Sequence, residues 1–102
     1  MISNQDPIRI SPRAAEEIRK IMDTKNIPPG YGLRIGIRGG GCGAKLIVGF
    51  DVQKEKDIVY SIEGITVFID KRHALYVLGK EMDFYDGADA RGFFFNDPTY
   101  GA

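Results

Sequence analysis

The 102 residues are 43% apolar and 27% charged, with 14 basic and 14 acidic side chains and one cysteine. That composition predicts one globular domain over residues 1–102 with a small core that needs no disulfide. Balanced charge removes the field that draws a protein to nucleic acid or an anionic membrane surface, and no apolar run approaches bilayer length, so neither partner is expected.

The first twenty residues hold no apolar stretch of the kind a signal peptide needs, which predicts a cytoplasmic protein. Cys42 stands alone, so an internal disulfide and any site built from several cysteines of one chain are excluded.

After a polar opening, Ile8 to Ile10 reads as a short extended segment. Ser11 is a helix cap and Pro12 fits the first turn, where a missing N–H costs nothing. Ala14, Ile18, Ile21 and Met22 then recur at helical spacing, with Glu16 and Lys20 four apart in the favourable order and Pro28-Pro29-Gly30 as the stop. The alternation of Leu33, Ile35 and Ile37 with Arg34, Gly36 and Arg38 predicts a half-buried strand, and a second extended run spans Leu46 to Phe50. The glycines between them therefore join two strands. Gln53 to Asp57 reads as a solvated charged loop. Ile58 to Tyr60 and Ile65 to Ile69, joined across Glu63-Gly64, predict an antiparallel hairpin. Asp70 caps a second short helix with Ala74, Leu75, Val77 and Leu78 as its apolar face and Gly79 as its stop. Met82 to Tyr85, a turn at Asp86-Gly87 and Gly92 to Phe95 complete an α+β pattern: a compact, sandwich-like core of antiparallel pairings with two short helices. The tyrosines and phenylalanines are expected in the core or facing it.

Local propensity does not account for Gly39-Gly40-Gly41-Cys42-Gly43, because four glycines around a thiol cost backbone entropy. A Walker phosphate loop fails, since Ala44 and Leu46 flank Lys45 and a strand follows. A dinucleotide fingerprint fails for want of a βαβ context. Cys42 near Arg34, Arg38 or Lys45 would have a lowered pKa and could serve as ligand or nucleophile. A catalytic pairing with His73, its ring oriented by Asp70 or Asp83, has no local support, and a solvated surface histidine is the simpler reading.

Taken together, Ile10-Ser11-Pro12-Arg13-Ala14-Ala15, the run from Gly32 to Cys42, Asp57-Ile58-Val59, Ile69-Asp70, Tyr76, Gly79, Asp83-Phe84 and Gly92-Phe93 resemble the HesB/IscA family of A-type iron–sulfur carriers over nearly the whole chain. The resemblance implies an α+β HesB-like domain, a homo-oligomer, and a non-enzymatic protein that holds iron or an iron–sulfur cluster and passes it on. Assembly proteins or recipient apoproteins are the implied partners.

The family uses three cysteines, of which only the first is matched, by Cys42; the chain runs through Asn96-Asp97-Pro98 to Ala102 without the second and third. The glycine loop also lacks a serine that the family carries after its cysteine. Cys42 is thus the expected metal and cofactor contact, in a degenerate site shared between subunits. His73, an aspartate, a tyrosine or an external thiol would complete it. Two other functions stay open at this point: a protein-binding module without metal, and a thiol enzyme using Cys42.

Overall fold

The computed structural model describes residues 7–39 and 45–96. In chain order the elements are β1 (Ile8–Ile10), α1 (Pro12–Thr24), β2 (Tyr31–Arg38), β3 (Lys45–Val52), β4 (Asp57–Ile62), β5 (Ile65–Asp70), a 3₁₀ turn (Lys71–His73), α2 (Ala74–Val77), β6 (Lys80–Asp86) and β7 (Arg91–Asn96). They form a three-stranded sheet in the order β1-β6-β7 and a four-stranded sheet in the order β3-β2-β5-β4.

Three hairpins, β2–β3, β4–β5 and β6–β7, supply the antiparallel ladders. The β4–β5 turn carries φ of 53° at Glu63 and 75° at Gly64, the paired left-handed geometry whose twist suits a two-residue hairpin. Two parallel seams tie the hairpins together. Ile8–Ile10 runs along Lys80–Met82, and Leu33–Arg34 along Val67–Phe68, so both sheets are mixed. The α+β architecture and the predominance of antiparallel pairing agree with the sequence reading; the parallel seams join segments far apart in the chain and leave no local signal.

Ser11 caps α1 as expected, its side chain accepting from the Ala14 N–H at 3.0 Å. The helix stops four residues before the prolines. Asn26 takes φ 53°, Ile27 N–H donates to the Met22 carbonyl and Asn26 N–H to that of Asp23, a Schellman end in which asparagine supplies the left-handed residue. Lys20 lies 3.8 Å from Glu17 rather than pairing with Glu16, and Glu17 also receives Arg91 at 3.1 Å.

One core cluster draws on both sheets and the helix: Ile8, Ile10, Ala14, Ala15 and Ile18 meet Leu33, Ile35, Val67, Ile69, Val77, Met82 and Phe84 among others. Complete burial of such side chains contributes roughly 1.5–3 kcal/mol each before entropy is counted. Asp83 receives the Ser11 hydroxyl at 2.7 Å while Ser11 N–H donates to the Met82 carbonyl, which pins the start of α1 to β6.

The second helix departs most from expectation. Asp70 does cap its start, accepting from Arg72 N–H, but the first three residues are 3₁₀ and only four remain for α2. One turn buries one side chain, Val77, while Leu75 is 82% and Leu78 62% exposed. Tyr76 and Tyr85 also stand out in solvent, so aromatic residues are less central than composition suggests. Gly79, at φ 80°, ends the turn as predicted.

Candidate functional site

The β2–β3 ladder runs in unbroken register from Tyr31 opposite Val52 to Arg38 opposite Lys45. The glycine-rich connection therefore leaves from one strand end and returns to the strand beside it. Gly39 begins it at φ 84°. Cys42, the candidate metal contact, lies outside the described residues. Arg38 and Lys45 are both exposed and directly opposite, a like-charge pairing that disfavours the ladder end.

Arg34 does not serve the loop. It sits four residues back along β2, about 13 Å from Arg38. Its Nη1 and Nη2 donate to the Asp57 carboxylate at 2.7 and 2.6 Å, Nε donates to Asp51 at 2.8 Å, and Nη2 also donates to the Val52 carbonyl. The Asp57 side chain is 1% exposed, which corrects the expectation of a freely solvated loop from Gln53 to Asp57. The Arg34 guanidinium holds the Asp57 carboxyl below its ordinary range despite burial, and Asp57 in turn raises Arg34. Asp51 is lowered to about 2 by the Val52 N–H, Lys54 and Arg34.

Arg34, Asp51 and Lys54 line a cleft of about 360 Å³ on the outer face of the four-stranded sheet, together with Asp70, Arg72 and His73. Gly36 lies beneath the imidazole, where an added Cβ would stand 3.5 Å from Nδ1. His73 is thus half-buried against β2 instead of projecting from a helix into solvent. Neither proposed orienting carboxylate holds the ring. Both Asp70 oxygens accept from the Arg72 side chain, which lowers Asp70, and Asp83 is engaged by Ser11 and the Phe84 N–H. The cleft is a self-neutralised surface with no free base among its carboxylates. Among the described residues, no three His, Cys, Asp or Glu side chains gather to hold a metal.

A second cleft, about 410 Å³, opens at the foot of the β2–β3 connection, lined by Ile37, Lys45, Leu46, Tyr76, Lys80 and Phe95. Helical periodicity conceals it, because it assigns the apolar residues of Ala74 to Leu78 inward. The usable signal is length: a segment with a capping aspartate at Asp70 and a glycine at Gly79 holds too few turns to bury a full face. No described helix is long and apolar enough to cross a membrane.

The pattern of the family described as iron-sulphur cluster biosynthesis matches residues 7–100. The iron-binding protein IscA of Xenorhabdus nematophila is 37% identical over 94 residues, covering 90% of this chain and 86% of that protein. The mitochondrial iron-sulfur cluster assembly 1 homolog of Danio rerio is 32% identical over 101 residues, covering 97% and 77%. Escherichia coli SufA, whose crystal structure is described as that of a protein involved in biosynthesis of iron–sulfur clusters, shares the fold with a TM-score of 0.73 at 24% identity, over 89% of this chain and 80% of that one.

Proposed function

Because the chain belongs to the iron–sulphur cluster biosynthesis family of HesB/IscA type, we propose that it carries iron or an iron–sulfur cluster as cargo, held by Cys42 from two copies, for delivery to a recipient apoprotein. As a member of that family it is not an enzyme. The observation that carries the reading is the position of the sole thiol, in a glycine-rich connection between two paired strand ends.

Clusters ordinarily take four thiolates, and one chain offers one. Two copies supply two sulfurs, with the remaining positions left to an external thiol, an oxygen donor or histidine, so the cargo is labile and easily passed on. A reducing compartment suits a lone unpaired thiol, and we place the protein in the cytoplasm, as expected of bacterial relatives.

Anaerobic reconstitution with iron and sulfide tests this, with Cys42→Ala in parallel. The expected result is a visible sulfur-to-iron charge-transfer spectrum, and a doubled apparent mass, both absent in the variant. A spectrum that survives Cys42→Ala, or colourless protein throughout, overturns the reading. The colourless outcome supports the second reading, a protein-binding module without metal.

A further inference from the structure

We propose that the groove at the foot of the β2–β3 connection docks an acidic, apolar-rich segment of a partner protein. Its lining combines hydrocarbon and aromatic side chains, Ile37, Leu46, Tyr76 and Phe95, with Lys45 and Lys80. Arg38 lies directly opposite Lys45 in the ladder. Two cations thus stand together at this strand end in a chain whose total charge is zero. Among the described residues, no carboxylate pairs with Arg38 or Lys45. The strand pairing bears a like-charge contact at this end, which an anionic partner would relieve.

The exposed apolar surface continues from the groove. Tyr76 is 58% exposed, and Leu75 and Leu78 on the same short turn are more so. An aromatic and two leucines in water beside a cationic edge fit a segment that alternates carboxylates with large apolar side chains. The volume falls at the lower end of the roughly 300–1,000 Å³ typical of clefts that receive a few side-chain-sized groups. A second copy of this chain is the poorer occupant, because a two-fold contact through this groove sets the same cations against each other. The proposal rests on the carrier reading for its purpose, since a segment docked here lies beside the connection that bears Cys42, but not for the binding itself.

The test uses metal-free protein and a synthetic peptide alternating glutamate with phenylalanine, followed by fluorescence anisotropy and amide chemical shifts. Binding is expected to perturb Lys45, Leu46, Tyr76 and Lys80, and to weaken as salt rises. Lys45→Glu is expected to lower affinity about tenfold and Tyr76→Ala severalfold. Both positions are exposed, and a thermal midpoint no lower than that of the parent verifies the fold, Lys45→Glu also removing the like-charge pairing with Arg38. Arg72→Ala, in the other cleft, and Cys42→Ala are expected to leave binding intact, so loss of the iron spectrum and loss of docking are separable results. Equal binding by Lys45→Glu, equal binding of a lysine–phenylalanine peptide, or association with phosphatidylglycerol vesicles but not with the acidic peptide would each overturn the proposal.

Discussion

Arg34 and Asp57 meet in a two-pronged ion pair that crosses β5, joining β2 to β4 over the ring of Phe68, whose centroid lies 5.8 Å from the guanidinium carbon. The Asp57 carboxylate is sealed from solvent while Arg34 keeps 21% of its side-chain exposure. Both charges depend on each other, and removing one leaves the other poorly solvated.

Asp57→Asn preserves volume and abolishes the charge. The expected loss is about 2 kcal/mol, less than for a fully buried pair because Arg34 retains some water. The shift in urea midpoint measures it. Asp70→Asn, whose partner Arg72 is exposed, is expected to leave the midpoint nearly unchanged.

Acid should unfold the protein through the same groups. Asp51, Asp57 and Asp83 all titrate below the ordinary carboxylate value, Asp51 falling from 3.8 to about 2. The unfolded chain binds protons more readily than the folded one over that interval. The stability from these contacts is therefore complete above about pH 5 and is lost as pH falls from roughly 4 towards 2. Urea midpoints are expected to be level from pH 7 to pH 5 and to drop steeply below about pH 4, less so in Asp57→Asn. A midpoint constant down to pH 2 contradicts the assignment.

Ser11 serves two partners at once, accepting from Ala14 N–H and donating to Asp83. Ser11→Ala is expected to cost about 1–2 kcal/mol in chemical unfolding. Ser11→Thr restores most of it. Ser11→Asp, ordinarily a good cap, does not, because a second carboxylate then faces Asp83.

Two glycines on the same face of β2 separate by substitution. A Cβ at Gly32 would stand 2.8 Å from both the Thr66 carbonyl oxygen and the Phe68 ring, whereas at Gly36 it meets His73 at an ordinary 3.5 Å. Gly32→Ala is expected to destabilise by about 1–3 kcal/mol, and Gly36→Ala to be neutral or mildly stabilising. Equal thermal shifts in the two variants would refute the placement of the Phe68 and His73 rings.

Local rules carry what depends on neighbours in sequence. Ser11, Pro12 and the 3.6-residue spacing place α1, alternation places β2 and β3, and Glu63-Gly64 marks a hairpin turn in which Gly64 supplies the positive φ that glycine adopts freely. The glycine connection holding Cys42 is legible for the same reason, since nothing in a strand asks for four glycines.

Only the tertiary structure decides which surfaces those elements share. The parallel seams of β1 with β6 and β2 with β5, the sealing of Asp57 under Arg34, the seating of His73 over Gly36 and the exposure of Leu75 and Leu78 all arise from contacts between residues distant in the chain. Periodicity reports an element's apolar stripe, but burial requires a neighbour to cover it, and whether that neighbour is present is a property of the assembled sheets.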